Sequence, residues 1–417
     1  MLLKFKVENF RSYAEAAELS LLRGTKQRAA STDARVVRCT PNGPDVLRTA
    51  AIFGPNAGGK SNLLKAILWL KQTVLRSAAN ADELPFETFA SPKLATKAIH
   101  FEIEFVVGDY QFHYTTKFAA GTVVFEVLSR KLVGARTSAS QLFKRTDQGT
   151  DFEVDIEFSS ELKDHVDIGQ WRRNTRPHQL FLSQSQNLSA APFLQSAFHW
   201  FRSKLKFFAH GGQNSGFRYT CERMSDEAFR KRLINELISA DLGVTDIKVS
   251  KSEGSRKASE VLSELVGVPA YRAEFEHAPA SGAAFKLDFN EESDGTKFFF
   301  SLLGHLDDTI QNDRILLIDE LDRSLHPLLV RRIVRAFSQG KSKSQLVFTT
   351  HDATLLDADV LRRDQVWFAE RDAQHQSTLR RLAAGNVRLD KALMRAYLDG
   401  QFQGVPITDS QGVFGDE

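Results

Sequence analysis

Alternating apolar and polar residues predict β-strands along the first part of the chain. At the N-terminus, the segments LLKFKVENF and AELSLL fit two short strands joined by the polar turn RSYAEA. A longer series repeats the alternation in AIHFEIEFVV, YQFHYTTKFA, VVFEVLSRKLV, QLFKRT and FEVDIEF. Gly108 and Asp109, between the first two of these segments, are typical of a hairpin turn. We therefore predict an antiparallel β-lobe here.

Continuous apolar runs followed by helical periodicity predict a second, α/β layer. A strand at 46–53 leads through a glycine-rich turn into a helix from Lys60 to about Ser77. Further along, the amphipathic helix TKFFFSLLGHL precedes an apolar strand at 315–318. A helix near 327–338 then precedes the strand QLVFTT, and the strands VWFAE and LRRLA follow. This alternation of helices and strands is typical of an α/β fold.

The middle of the chain predicts an inserted lobe. Residues 160–205 are expected to be mainly helical, and residues 222–265 contain two charged helical stretches around IKVSKS. The segment AYRAEFEHAPASGAAFKLDFN predicts a hairpin with a tip of small residues. We interpret this region as a helical arm inserted into the α/β layer.

The bulk composition excludes several classes of protein. With 42% hydrophobic and 26% charged residues in 417, the chain is expected to fold into a large core. The net charge of +3 gives no support for bulk electrostatic binding to nucleic acid. Cys39 and Cys221 match no metal pattern and are interpreted as core thiols in a reducing compartment. Neither a signal peptide nor a membrane span is predicted, so we expect a cytoplasmic protein with no membrane partner.

The strongest chemical motif is GPNAGGKSN, at 54–62 between a strand and a helix. Gly54, Gly59, Lys60 and Ser61 fit the phosphate-binding pattern G-x-x-x-x-G-K-[ST]. The glycines let backbone amides surround a β-phosphate at a helix N-terminus. Lys60 would neutralise the β- and γ-phosphates of ATP, and the Ser61 hydroxyl would ligate Mg²⁺.

Two acids follow the apolar strand ILLI. Asp319 at the end of the strand is predicted to bind magnesium, and Glu320 to activate the attacking water. The pattern is weak alone and becomes strong beside a phosphate loop. The long interval between Lys60 and Asp319 indicates an inserted lobe.

Two further motifs extend this site. Ser293 and Gly295 open the helix TKFFFSLLGHL, and a serine hydroxyl with a glycine amide at a helix N-terminus can bind an anion. The alternative is an ordinary N-cap. The position ahead of Asp319 favours contact with the γ-phosphate of a partner subunit's ATP. His351, just after QLVFTT, is predicted to contact the γ-phosphate or the attacking water.

These motifs together resemble the ABC-type ATPases of the SMC, RecF and OLD group. The segment ESDGT stands where transporters carry LSGGQ, which argues against a transporter. More narrowly, ESDGT, DELDRSLHP, TTHD and YLDGQFQGVP resemble stand-alone AAA-family ATPases of bacterial abortive-infection and anti-phage systems, such as the RloA-like and PARIS AriA-like proteins. We do not expect a TOPRIM-like nuclease domain after His351.

The resemblance assigns further residues. In the N-terminal NFRSY, Arg11 and Ser12 would lie near the adenine and ribose-phosphate end, and Asp322 would cross a dimer interface. A glutamine should also serve the magnesium site, and Gln184 and Gln186 remain alternatives; Gln184 follows the predicted strand FLS most closely. The predicted metal ligands are therefore Ser61, Asp319 and Gln184. The full predicted ATP-binding set is Arg11, Ser12, Gly54, Pro55, Asn56, Ala57, Gly58, Gly59, Lys60, Ser61, Asn62, Gln184, Ser293, Gly295 and Asp322.

Basic clusters give a weaker signal. Trp171, Arg172, Arg173, Arg176 and His178 have the charge and aromatic character of a phosphate-backbone contact. A second cluster on a predicted helix comprises Arg331, Arg332 and Arg335. For both, solvated or acid-paired side chains are the simpler interpretation.

We therefore expect an ABC-type P-loop ATPase head with mixed β-sheet lobes. Residues 1–180 would form its N-terminal part, 181–290 the arm and the start of a second lobe, and 291–417 its C-terminal part. Two or more copies would close over ATP and Mg²⁺, hydrolyse the ATP and control a separate effector, a nuclease or toxin, in anti-phage defence. The alternative is a RecF- or SMC-type ATPase acting directly on DNA.

Overall fold

The computed structural model describes residues 1–24, 33–79, 87–91, 93–146, 154–163, 170–171, 174–187, 191–208, 213–251, 271–279, 282–340, 342–382 and 391–399. The second charged helical stretch expected near 255–265 lies outside these ranges, as do Arg172 and Arg173 and most of YLDGQFQGVP.

The strands are numbered in chain order. They are β1 (Leu2–Glu8), β2 (Ala17–Ser20), β3 (Val36–Arg38), β4 (Asp45–Leu47), β5 (Thr49–Phe53), β6 (Ile99–Val107), β7 (Tyr110–Ala119), β8 (Thr122–Leu132), β9 (Ser140–Thr146), β10 (Asp155–Phe158), β11 (Leu205–Phe208), β12 (Val244–Lys251), β13 (Tyr271–His277), β14 (Phe285–Asp288), β15 (Ile315–Ile318), β16 (Gln345–Thr349), β17 (Val366–Arg371) and β18 (Ser377–Arg381).

The helices are numbered in the same way. They are α1 (Lys60–Arg76), α2 (Ser160–Lys163), α3 (Phe181–Gln184), α4 (Pro192–His199), α5 (Gln213–Arg223), α6 (Glu227–Ser239), α7 (Asp294–Gln311), α8 (Pro327–Gln339) and α9 (Lys391–Leu398). A π-helical turn (Trp200–Lys204) joins α4 to β11, and single 3₁₀ turns occur at Ser185–Asn187, Phe289–Glu291, Ala353–Leu355 and Arg363–Gln365.

A seven-stranded antiparallel sheet forms one layer, in the order β10-β9-β8-β7-β6-β1-β2. Its strands alternate in burial; Phe101 and Phe105 of β6, for example, are completely buried. Trp69 of α1 stacks on Phe101 at 5.1 Å between ring centroids, and Trp200 stacks on Phe105 at 4.1 Å. The predicted antiparallel lobe is therefore confirmed, and α1 lies against its inner face.

The second sheet is mostly parallel, in the order β11-β15-β16-β5-β17-β18. Every residue of β5, β15 and β16 is buried, as expected for central parallel strands covered on both faces. Their carboxyl ends meet at one edge, because β15 and β5 flank β16 in parallel register. That edge brings together the segments after Phe53, Ile318 and Thr349.

The inserted lobe differs from the predicted helical arm. It combines α5 and α6 with a small sheet in the order β12-β13-β14. The hairpin of β13 and β14 is confirmed, and the charged helical stretch expected before IKVSKS is α6; residues 247–251 of that segment lie in β12. Only Val244 and Ile247 of this strand are buried, so its polar residues conceal the alternation. Neither β11 nor α5 was predicted.

Two hydrophobic clusters form the core. One lies between the seven-stranded sheet and α1, and the other lies on the opposite face of the parallel sheet, under α7 and α8. β5 contributes to both, since Ile52 belongs to the first and Phe53 to the second. Cys39 and Cys221 are buried and unbridged, which confirms the prediction of core thiols. Within the described ranges, no helix is long and apolar enough to cross a membrane. The predicted α/β class with mixed sheets is confirmed.

Candidate nucleotide-binding site

The loop 54–59 has a backbone shape that only glycine allows at its two ends. Gly54 has φ +148° and Gly59 has φ +105°. A Cβ on Gly54 would lie 2.1 Å from the carbonyl oxygen of Ala369, and one on Gly59 would lie 2.3 Å from Ser377 Oγ. The loop therefore fits closely against β17 and β18, and any side chain at either end would displace it.

Helix α1 starts directly after this loop and presents free amides to it. Its N-cap is Gly59, which has no side chain to accept their hydrogen bonds, and no acid occupies its first turn. The N-terminus of α1 is therefore suited to bind an anion.

Lys60 lies inside the loop. Its Nζ donates to the carbonyl oxygens of Gly54 at 2.8 Å and Pro55 at 2.9 Å. Burial lowers the pKa of Lys60 to about 8, and nearby Asp319 partly opposes that effect. The ammonium group is thus held at the mouth of the loop, where a phosphate would compete with the two carbonyls.

Oxygen ligands from distant parts of the chain converge beside Lys60. Ser61 Oγ donates to Asp319 Oδ1 at 2.9 Å, although 258 positions separate the two residues. Thr349 Oγ1, at the end of β16, donates to the same oxygen at 2.8 Å. A hydroxyl and a carboxylate in this arrangement match the hard oxygen ligands that Mg²⁺ prefers. Ser61 and Asp319 were both predicted as metal ligands, and the structure brings them together.

Glu320 follows Asp319 in an unusual conformation. Its φ of +58° is rare for a residue with a side chain. The Glu320 amide donates to Thr349 Oγ1 at 2.7 Å, which fixes this turn. Arg323 Nη1 lies 3.6 Å from Glu320 Oε2. Strained backbone of this kind is characteristic of functional sites.

His351 is fixed from the other side of the same edge. Its amide donates to Asp322 Oδ2 at 3.1 Å, so the residue predicted to cross a dimer interface contacts the histidine turn of its own chain. His351 reaches solvent on one side, yet partial burial lowers its pKa, and the charge of Lys60 lowers it further. A neutral imidazole can accept or donate a hydrogen bond.

A cavity of about 310 Å³ joins these groups. Its lining residues are Ser12, Asn56, Ala57, Gly58, Gly59, Lys60, Ser61, Asn62, Glu320, His351 and Arg371. Ser12 is fixed there by Asn62, whose Nδ2 donates to Ser12 Oγ at 2.8 Å. The sequence did not reveal Arg371, because an exposed arginine at a strand end has no distinguishing pattern; here it places a cation opposite the loop.

Arg11 is adjacent to Ser12 but is directed elsewhere. It forms an ion pair with Glu87 and is not among the described residues that line the cavity. Its predicted contact with the nucleotide receives no support from this placement.

The prediction that Gln184 binds magnesium is wrong. FLSQ forms the short helix α3 rather than a strand, and Ser183 Oγ accepts from the amide of Ala78, just beyond α1. The 17 residues of α1 span about 25 Å, so Gln184 lies at the far end of this helix from the loop. Its Nε2 donates to Gln179 Oε1 at 2.7 Å. Gln186 lines a separate cavity, together with Met1 and Trp200.

The end of β11 lies beside Asp319, at the edge of the parallel sheet that carries the site. β11 pairs with β15, and its last residue, Phe208, accepts a hydrogen bond from the amide of Asp319 at 3.2 Å. Helix α5 begins soon afterwards at Gln213. A Cβ on Gly216 would lie 2.6 Å from the Phe208 ring, so this end of α5 contacts the end of β11.

Among the described residues, those of the Ser293 turn do not line this cavity. Ser293 is the N-cap of α7, and its Oγ accepts from the amide of Thr296 at 3.1 Å. A Cβ on Gly295 would lie 2.7 Å from the carbonyl oxygen of Ser324, so the turn packs against the segment that follows Asp319 and Glu320.

Residues of the two basic clusters form ion pairs or pack against the core of the same chain. Arg331 Nη2 lies 2.6 Å from Asp357, and Arg332 Nη2 lies 2.7 Å from Glu236. These pairs confirm the simpler interpretation for both arginines. Trp171 meets Phe181 edge to face at 6.1 Å, which places its ring against the core.

The fold and the site together define a P-loop nucleotide-binding head. The chain belongs to the family described as "AAA domain, putative AbiEii toxin, Type IV TA system", whose model matches residues 50–357. No match was found among curated proteins.

Solved structures of SMC heads overlap with most of the chain. The SMC head domain from Thermotoga maritima is 12% identical, with a TM-score of 0.41, over 92% of this chain and 99% of that one. An Smc head domain from Pyrococcus furiosus, bound to the C-terminal domain of ScpA, is 13% identical, with a TM-score of 0.45, over 92% and 96%.

Proposed function

We propose that this protein is an ABC-type ATPase that dimerises over ATP. The observation that carries the proposal is the contact between Ser61 and Asp319, because it joins the phosphate loop to the carboxylate at the end of β15. The cavity beside this contact has the size of a small-molecule site and contains groups for every part of phosphoryl transfer.

The chain's own residues divide the chemistry. The free amides of α1 and the ammonium of Lys60 hold the phosphates, and Ser12 and Arg371 bound the cavity on the other side. Glu320 accepts a proton from the attacking water, and His351, neutral in this environment, fixes the γ-phosphate or that water by a hydrogen bond. Thr349 holds both Asp319 and Glu320 in place.

Mg²⁺ fits this donor set, since Ser61 offers a hydroxyl and Asp319 a carboxylate in direct contact. When bound, the ion would neutralise charge on the phosphates.

The proposed dimer is supported by the separation of the two helix N-termini, at α1 and α7. Ser293 and Gly295 are absent from the described lining of the chain's own cavity. We propose that they contact the γ-phosphate bound to a second copy, with Asp322 near the same interface. Gly295 packs on Ser324, so the turn and the catalytic segment would move together.

The biological role we propose is an ATP-gated sensor or scaffold in anti-phage defence, acting in the cytoplasm through a separate effector. The family description, which names an AbiEii toxin and a toxin–antitoxin system, supports a defence role. The near-neutral charge gives no support for the alternative, a RecF- or SMC-type ATPase acting on DNA. Steeply salt-dependent stimulation of hydrolysis by DNA would favour that alternative.

The central test is Glu320→Gln. This substitution keeps the shape of the side chain and removes the base, so hydrolysis should fall at least ~100-fold while ATP binding persists. Mass measurement in solution should then show an ATP-dependent dimer that does not dissociate. As a matched control, Glu370→Gln alters another glutamate at the parallel sheet, paired with Arg380 at 2.7 Å, and should hydrolyse ATP normally. Unchanged hydrolysis by Glu320→Gln would show that the base is assigned wrongly.

A further inference from the structure

The C-terminal helix α9 contacts the start of the phosphate loop. Tyr397 of this helix is only 4% exposed. Its ring meets Phe53 edge to face and stacks on Phe368, each at 5.8 Å between centroids. Its hydroxyl lies next to the backbone of Gly54. The residue is thus fixed against the last residue of β5 and the first residue of the loop.

A second tyrosine holds the other end of the loop. Tyr13, from the turn between β1 and β2, is completely buried, and its hydroxyl donates to the carbonyl oxygen of Gly59 at 3.2 Å. The neighbouring Ser12 accepts from the Ser377 amide at 2.7 Å, which joins this turn to β18. Two tyrosines therefore contact the two ends of the loop, Tyr397 through its ring on Phe53 and Tyr13 through its hydroxyl on Gly59.

We propose that Tyr397 and Tyr13 are positioning residues that hold the phosphate loop in its ATP-binding shape, a role that rests on the proposed function. Glycine-rich segments lose more conformational entropy on ordering than others. Anchoring both ends of the loop removes part of that cost before the nucleotide arrives, so the two tyrosines strengthen ATP binding without touching ATP.

This role makes nucleotide affinity depend on a helix far from the loop in sequence. If α9 moves, Phe53 loses the Tyr397 ring that packs on it beside Gly54, and the loop becomes freer. Coupling of this kind is reciprocal, so bound ATP should also hold α9 in place.

The test first removes the Tyr13 hydroxyl and keeps its ring. In Tyr13→Phe, the equilibrium Kd of a fluorescent ATP analogue and the KM for ATP should rise about three- to tenfold, as expected for one lost hydrogen bond. The kcat should stay within about twofold, because saturating ATP orders the loop. The double variant with Tyr397→Leu, which removes the ring packed on Phe53, should bind more weakly than either single variant.

Tyr114→Phe is the matched control. The Tyr114 hydroxyl is buried and donates to Glu126 Oε1 at 2.8 Å in the antiparallel sheet. Its loss should lower the Tm and leave Kd and KM unchanged, which separates positioning of the loop from general stability.

The outcomes distinguish the inference from the function on which it rests. Lys60-dependent ATP binding with a wild-type Kd and KM in both tyrosine variants overturns the inference and leaves the proposed function standing. Failure of the wild-type protein to bind ATP overturns both.

Discussion

The two helix N-termini with anion-binding character, at α1 and α7, are built differently. The end of α1 is capped by Gly59 and leaves its amides free. The end of α7 is capped by Ser293, whose Oγ accepts from the Thr296 amide at 3.1 Å and lies 2.9 Å from Thr296 Oγ1. Among the described residues, the first helix end has no side-chain acceptor, whereas the second already has one.

Charge increases the difference. Lys60 opens α1, and no acid occupies its first turn. In α7, the first turn carries the exposed Asp294, paired with Lys297 at 3.1 Å. An anion would therefore meet less competition at α1 than at α7, where the Ser293 hydroxyl already accepts within its own chain. This contrast supports the proposal that α1 binds ATP alone and that α7 adds affinity only when a closed dimer brings a phosphate to it.

The largest effect should come from Lys60→Ala at the α1 end. Loss of a buried cation that faces the phosphates should weaken ATP binding at least ~100-fold, since hydrogen bonds to charged groups contribute about 1.5–3 kcal/mol each. Equilibrium binding of a fluorescent ATP analogue measures this change.

Lys71 of the same helix provides the control. It is also partly buried, with a pKa lowered by burial to about 8, and its Nζ donates to the Leu205 carbonyl at 2.6 Å. Lys71→Ala should bind ATP as the wild type does. Equal losses in the two variants would show that α1 responds only to disruption of its packing.

A smaller and more selective effect is expected from Ser293→Ala at the α7 end. A monomer should bind ATP within about twofold of wild type, while ATP-dependent dimerisation and hydrolysis fall at least ~10-fold. Sedimentation or mass photometry with and without ATP measures the first effect, and phosphate release measures the second.

Loss of the cap will also lower stability by about 1 kcal/mol. Asp226→Ala matches this cost, because Asp226 caps α6 and accepts from the amides of Ala228 and Phe229. That control should still dimerise. If Ser293→Ala dimerises equally well, the turn is only an N-cap.

The sequence predicted the α1 end far better than its surroundings. The segment 54–62 carries its chemistry in adjacent residues, and Asp319 and Glu320 follow a strand too apolar to be misassigned. The prediction for Gln184 failed because the position of this residue depends on which end of α1 its segment packs against. That is a long-range contact with no local signal in the sequence. β11 is only four residues long, too short for a periodic pattern. The contact of Tyr397 with Phe53 joins parts of the chain that are far apart in sequence and was equally hidden.

The smallest expected effect is a pH dependence confined to the α1 end, where His351 lies. The Ser293 turn, at the α7 end, contributes only a hydroxyl and an amide to the proposed contact. Partial burial, and then the charge of Lys60, lower the pKa of His351 below 6.5. A lowered pKa keeps the imidazole neutral as the pH falls, so kcat at saturating ATP should change less than about twofold from pH 7.5 to 6.5 and decline only at lower pH.

His351→Gln should remove this acidic decline, because glutamine does not titrate. Ser293→Ala should lower the rate and keep the shape of the wild-type profile. Rates measured from pH 5.5 to 8 in all three proteins provide the comparison. An acidic decline that persists in His351→Gln would assign the titration to another group, and a profile altered by Ser293→Ala would show that the two helix ends are not independent before the dimer closes.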